Sequence, residues 1–269
     1  MPNQLCSDHT TIQRLPTVIS SAVERSLAFA EVKASSPIRT SLYEREGSMW
    51  GSLKRPSPRR FKRNIDFAME CHSDDSELCH EMLTTFGFTQ QQIHRAADRF
   101  LLGRSKSGKT IYWLIDDLGR CLDGRIGGTW VSTLLKERYP AAAPYLSVEH
   151  CLFGLHQISM NDDKPIGIVE SERSAVILSE LCPNLLWLAY IYTSNLTIDK
   201  FEALQGRKIT IFPRCDPYMD HYIFFLELAE QVKQRFCDLD ITVSTFLEDN
   251  ATDDQKQRNI DLLDFMCES

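Results

Sequence analysis

From Pro165 onward, four short apolar runs alternate with segments of helical periodicity. In order they read IGIVE, ERSAVILSEL, LLWLAYIY, TIDKFEALQG, KITIF, YIFFLELAEQVKQRF, DITVSTF and QKQRNIDLLDFM. Helical-length segments between strands force crossover connections, which are right-handed, so the pattern predicts a mostly parallel sheet with flanking helices. Near-continuous apolar runs, rather than alternation, predict strands covered on both faces. Within ERSAVILSEL the spacing puts Ala175, Ile177, Leu178 and Leu181 toward the core, and Gly206 is a natural stop for the second helix.

Upstream the pattern differs. SELCHEMLTTFGF and QQQIHRAADRFLL carry apolar residues at helical spacing and predict two short helices. TIYWLIDDLGRCLDGRI predicts a hairpin, with an aromatic and β-branched run, an Asp-Asp-Leu-Gly turn and a second strand. The fold class is therefore α/β, with a small α+β subdomain over residues 64–160 and the parallel-sheet domain over 161–269. Residues 1–63 show weak periodicity and many Ser, Thr and Pro, and read as mostly disordered. Within them, TVISSAVERSLAFAEV could form one amphipathic helix. Translation starting at Met49 or Met69 is an alternative account of this region.

Two motifs tempt. GRSKSGKT, Gly103–Thr110, fits G-x-x-x-x-G-K-T. A phosphate-cradling loop leaves a strand and opens a helix, whose free amides hold the anion. Here it leaves a helix and enters a strand, so the match is expected to be a turn. Cys71-His72 and Cys79-His80 sit eight residues apart, a spacing foreign to common zinc sites, and no C-x-x-C pair occurs among the nine cysteines.

Scattered cysteines in a chain of 269 residues point to a reducing cytoplasm with buried thiols. No apolar run is long enough to span a membrane, and no secretory signal is predicted at the N-terminus. The net charge of −7 is unevenly spread, since KRPSPRRFKR (54–63) holds six cations, leaving −13 for the remainder. That arm reads either as a contact for nucleic-acid phosphates or as a solvated linker. An acidic body repels a duplex backbone, so any nucleic-acid contact must be local or metal-mediated.

In an open parallel sheet the functional crevice lies beyond the carboxyl ends of the strands. Those ends carry Glu170, Ser171 and Glu172, then Arg214, Asp216 and Asp220, and, after the fourth strand, Asp261 and Asp264. Converging carboxylates need a cation between them, and Mg²⁺ is the usual occupant. The alternative is that Glu172 caps a helix and the other acids are solvated. A Rossmann-type nucleotide site is disfavoured, because Glu170-Ser171-Glu172 stands where a glycine-rich turn is needed.

PIGIVESERSAVILSEL, LLWLAY, GRKITIFPRCDPY and TDDQKQRNIDLLDFM together resemble a toprim domain, the metal-binding fold of bacterial-type primases, topoisomerases and related nucleases. More narrowly, the chain is similar to a toprim-like family of bacterial mobile-element and phage-type proteins related to primase catalytic cores. Val169–Ala175 matches that family's V-E-S-E-K/R-T/S-A stretch. IYWLIDDLGRCLDGRI and EHCLFGLHQI resemble its N-terminal subdomain, with Trp113, Asp116, Gly119 and Gly124 in place, so the similarity spans about residues 75–269.

The resemblance implies that the chain, if it is an enzyme, is a Mg²⁺-dependent primase-like nucleotidyltransferase or nuclease of mobile-element DNA replication. Glu170 would be the catalytic acid or base. Asp216 and Asp220, with Asp261 or Asp264, would hold Mg²⁺. Arg173, Lys208 and Arg214 would face nucleic acid, with a surface salt bridge the competing role for Arg173 and Lys208. Implied partners are single-stranded DNA or RNA and a helicase or other replication protein. Three departures stand out. Arg214 replaces the first acid of the Asp-x-Asp pattern, the loop after GRIGGTW is shorter, and this sequence has no C-x-x-C pair at the N-terminus, where such primases usually carry a zinc ribbon. A cation in that place can pair with Glu170 or Asp216. Hence the alternative of a degenerate scaffold that binds single-stranded nucleic acid or a replication partner without catalysis.

Overall fold

A computed structural model describes residues 68–138, 140, 150–160 and 164–268. The basic arm, the TVISSAVERSLAFAEV segment and the Met49 start lie outside the described residues. Two helices come first, α1 (Glu77–Thr84) and α2 (Gln90–Phe100), at the places the periodicity gives. Thr89 and Gln92 close a reciprocal capping box on α2, satisfying amides that the helix start leaves open.

An antiparallel sheet follows, from β1 (Gly103–Arg104), β2 (Thr110–Ile115), β3 (Cys121–Ile126) and β4 (Thr129–Trp130), paired in chain order. The β2–β3 hairpin turns at Asp116-Asp117-Leu118-Gly119. There Asp116 accepts the amides of Leu118 and Arg120, and Gly119 takes a φ of 73° that its lack of a Cβ permits. GRSKSGKT is the β1–β2 turn. Its Gly108 amide donates to the Ser105 carbonyl and its Lys109 amide to the Ser105 hydroxyl, so neither points at an anion. His72 bonds Asp98 and the Leu102 carbonyl, His80 the Ser76 carbonyl and Asp75, and Cys79 the Ser76 hydroxyl. Among the described residues no three His, Cys, Asp or Glu side chains are placed to hold a metal. Helix α3 (Val131–Arg138) closes this part.

The parallel sheet contains β5 (Ile166–Val169), β6 (Leu186–Ala189), β7 (Lys208–Ile211) and β8 (Asp240–Val243), in the order β6-β5-β7-β8 with every pair parallel. Its helices are α4 (Glu172–Leu181), α5 (Asp220–Arg235), α6 (Phe246–Asn250), α7 (Asp253–Gln257) and α8 (Leu262–Glu268). Each face is covered. Val169, Trp187, Ala189 and Phe212 pack under α1, α2, α4 and α8. Ile166, Ile168, Leu188, Ile209 and Ile211 pack under α5 through Phe225, Leu228 and Val232. Burial on both faces explains why the strands read as apolar runs, each fully buried Leu or Ile being worth about 1.5–3 kcal/mol. Ala175, Ile177 and Leu178 are fully buried, and Leu181 is partly so. Gly167 accommodates the Trp187 ring, whose nearest atom would lie 2.7 Å from an added Cβ.

Three boundaries depart from the sequence expectation. TIDKFEALQG forms a 3-10 helix, Ile198–Leu204, rather than an α-helix. The LLWLAYIY strand stops at Ala189, and Ile191 turns away with a φ of 70° while its amide holds the Glu170 carbonyl at 2.8 Å. The last helix is split, since Asn259 at a φ of 51° ends one turn before α8 begins. The described cysteines are all free thiols, with Cys79, Cys121 and Cys215 buried and Cys237 and Cys267 exposed. Among the described residues no helix is long and apolar enough to cross a membrane.

Candidate nucleic-acid interface

Glu170 follows β5 directly, and Arg214 stands three residues past β7, the neighbouring strand, so parallel pairing brings the two side chains to one edge. The Arg214 guanidinium forms an ion pair with Glu170 Oε2. The Tyr190 hydroxyl donates to the same oxygen at 3.4 Å. Burial, followed by the charge of Glu170, raises the Tyr190 phenol well above its ordinary value, so it stays a donor.

The four acids do not gather into one cluster; Asp216, Asp261 and Asp264 each have another partner, and Asp220 is exposed. Asp216 takes the amides of Tyr218 and Asp220 on Oδ1 and of His221 on Oδ2, at 2.9–3.0 Å. Its carboxylate lies at the N-terminal end of α5, against the Asp220 and His221 amides, where helix amides and dipole favour negative charge. Burial alone would raise its pKa; the His221, Asp220 and Tyr218 amides outweigh that and lower it. Asp220 is exposed at the start of α5. Asp261 and Asp264 form the reciprocal cap of α8, Asp261 Oδ1 accepting the Asp264 amide at 2.9 Å and Asp264 Oδ2 the Asp261 amide at 3.3 Å. Asp261 Oδ2 also accepts the buried Ser174 hydroxyl at 2.5 Å, linking α8 to α4. Burial and the Asp261 charge raise the Asp264 pKa.

This donor set does not fit Mg²⁺. A hard divalent ion needs several free carboxylate oxygens converging within normal oxygen distances. Here Glu170 is engaged by a guanidinium, Asp216 by three amides, and Asp261 by Ser174 and a helix cap.

The predicted cations separate. Arg173 of α4 donates to Glu81 of α1, Nε at 2.9 Å and Nη2 at 2.5 Å. Burial lowers its pKa, but Glu81 outweighs it and the net shift is upward. Lys208 begins β7, at the opposite end of the sheet from Glu170.

Sequence reasoning missed a second cluster, on the antiparallel sheet facing this edge. Ser171 rather than Glu172 caps α4, its hydroxyl accepting the Ser174 amide at 3.0 Å. Glu172, 4% exposed, accepts Arg125 Nη1 on both oxygens at 3.0 and 2.8 Å. Arg125 Nη2 donates to the Tyr192 hydroxyl at 3.0 Å, and the guanidinium lies 5.0 Å from that ring's centre. Trp130 stacks on His150 at 3.9 Å and meets Tyr192 edge-on at 6.5 Å. His150 is steered by buried Asp123, which also accepts the Ser132 hydroxyl at 2.6 Å. Burial raises the Asp123 pKa, but His150, Ser132 and the Gly124 amide outweigh it, so the net shift is downward. Tyr192 is 38% exposed. The available signal was compositional: Arg125 and Trp130 flank the Gly127-Gly128 turn of GRIGGTW.

Against solved structures, the chain is similar to the DnaG primase catalytic domain bound to single-stranded DNA. That match has 14% identity, covers 72% of this chain and 75% of that one, and gives a TM-score of 0.47. It is also similar to the zinc-binding and RNA polymerase domains of the Aquifex aeolicus primase, at 11% identity, 94% and 71% coverage and a TM-score of 0.47. No curated protein matches it. A family model described as "Domain of unknown function (DUF6371)" matches residues 76–215, just over half of the chain.

Proposed function

The chain belongs to the DUF6371 family, and we propose that it is a toprim-like, primase-related scaffold that binds single-stranded nucleic acid without Mg²⁺-dependent turnover. The observation that carries this reading is the Arg214 guanidinium paired with Glu170. A fixed cation beside that carboxylate supplies the positive charge a metal ion would bring, and removes the free base that polynucleotide chemistry needs. The binding half of the reading rests on the Trp130, His150, Tyr192 and Arg125 cluster. The exposed Tyr192 ring, backed by Trp130 and Arg125, offers a surface for stacking an unpaired base, and every base has such a face. A strand is the better fit than a duplex, whose bases are already stacked.

The test is anisotropy of a labelled single-stranded oligonucleotide. Affinity is expected to be the same in EDTA and in Mg²⁺, to fall with salt, and to weaken roughly 5- to 100-fold in Tyr192→Ala or Trp130→Ala. Mg²⁺-dependent primer synthesis or strand cleavage by the wild type that disappears in Glu170→Gln would overturn the scaffold reading.

A further inference from the structure

A cavity of about 270 Å³ opens between α1, β2, the β3–β4 turn and α4. Its chemistry comes from Glu77, Glu81, Tyr112, Arg125 and Arg173. Arg125 belongs to both places: it lines this cavity and holds Tyr192 on the stacking surface.

The hydrogen-bond inventory shows what is left for a ligand. Both bonds from Arg173 land on Glu81 Oε1, and among the described residues Oε2 accepts none. The Glu77 carboxylate, exposed in the first turn of α1, likewise accepts none among them. Arg125 uses its Nη atoms on Glu172 and Tyr192 and its Nε–H is shut away from solvent, while Arg173 Nη1 has no partner among the described residues. Burial, followed by Glu172 and Glu81, raises the Tyr112 pKa, so its hydroxyl remains a donor. The cavity therefore offers carboxylate acceptors, guanidinium and phenol donors, and an aromatic wall.

Among the lining residues Arg125 and Arg173 balance Glu77 and Glu81, and both guanidinium groups are already held by carboxylates, so no net positive charge is left to attract a phosphate group. A planar neutral ligand with adjacent N–H donors on one edge and acceptors on another satisfies the set. Among nucleobases this is guanine. Its N1–H and amino group suit a carboxylate, and its O6 and N7 suit arginine. Adenine would turn its N1 lone pair toward the carboxylate. The volume lies just below the usual range for small-molecule pockets, about 300–1,000 Å³, and suits one base rather than a dinucleotide.

We propose that this cavity is a guanine-selective pocket that receives one base of the bound strand. The inference rests on the strand-binding reading above and adds base selectivity to it.

The test uses the full chain and titrates GMP, AMP, CMP and UMP by calorimetry, with dT-tract anisotropy measured in parallel. GMP is expected to bind at least about tenfold tighter than the other three. Glu77→Gln and Tyr112→Phe, each checked for an unchanged circular dichroism spectrum, are expected to erode that preference. Equal affinities for the four nucleotides, no binding of any, or a preference untouched by both substitutions would each overturn the pocket. If dT-tract binding is lost in Tyr192→Ala while the four nucleotides are indistinguishable, the strand reading stands and the pocket falls. GMP selection by a protein that holds no oligonucleotide removes the strand reading and leaves a pocket for the free nucleotide.

Discussion

Arg214 reaches across from the end of β7 to Glu170 at the end of β5, and the pair closes the edge of the parallel sheet where acids were expected to gather around an ion. Arg214→Asp removes the guanidinium and places a second acid two residues before Asp216. We expect the wild type to give no saturable heat with millimolar Mg²⁺ and Arg214→Asp to gain one. The substitution also leaves Glu170 unpaired. Because both side chains are partly exposed, the cost should be about 1 kcal/mol, read as a lower denaturation midpoint without metal. Saturable Mg²⁺ binding by the wild type would contradict the expectation.

Asp216 is predicted to act as an anchor for α5. Asp216→Asn keeps the size and one acceptor oxygen but sets an NH₂ against the amides of Tyr218, Asp220 or His221. A loss of about 1–2 kcal/mol is expected at pH 7, in EDTA as in Mg²⁺. The folded-state pKa is lowered. The carboxylate's contribution is therefore present above the ordinary range, near pH 4, and is lost as pH falls through the folded value. The gap between wild type and variant should narrow on acidification. Urea midpoints across pH 2–7 measure it, and a gap that widened on acidification would mean the amides are not what stabilises the anion.

What the sequence discloses and what it hides divide along a physical line. Local and periodic features were legible: the four buried strands, α1, α2 and α4, the Asp116–Gly119 turn, and the wrong context of GRSKSGKT. Those depend on neighbours a few residues apart. The ion pairs that decide the site join residues 92 apart for Glu81 and Arg173, and 47 apart for Arg125 and Glu172. No periodicity encodes such partners. The D-L-L-D spacing of Asp261 and Asp264 is as good for a capping box as for a ligand pair, and only the position of Ser174 distinguishes the two. The break at Asn259 and the turn at Ile191 are backbone conformations adopted against residue preference, which propensity alone cannot foresee.

Asp264 should show the opposite pH behaviour to Asp216. Its pKa is raised by burial and by Asp261. The folded state thus favours the protonated acid, an advantage complete below the ordinary carboxylate range and lost as pH rises through the raised value. Asp264→Asn mimics that protonated form and keeps an oxygen for the Asp261 amide. Its thermal midpoint should exceed that of the wild type at pH 7, by on the order of 1–2 °C, and converge with it toward pH 3. A variant less stable than the wild type at pH 7 would show that the charge of Asp264 is needed, for instance by Arg173.

Arg125 and Glu172 tie the antiparallel sheet to the first turn of α4, and both are largely withdrawn from water. Removing one partner leaves a charge with little solvent to compensate it, so Glu172→Leu alone should cost about 3–5 kcal/mol. Arg125→Met alone should be of similar size. The double substitution replaces the pair with apolar side chains of comparable bulk, and should recover much of the loss, because the desolvation of both charges goes with it. Strand affinity should not recover in parallel, since the guanidinium also holds the Tyr192 ring. A double-mutant cycle on stability, with oligonucleotide anisotropy on the same four proteins, separates the two roles. Recovery of both quantities together would mean that Arg125 acts on the strand only by keeping the fold intact.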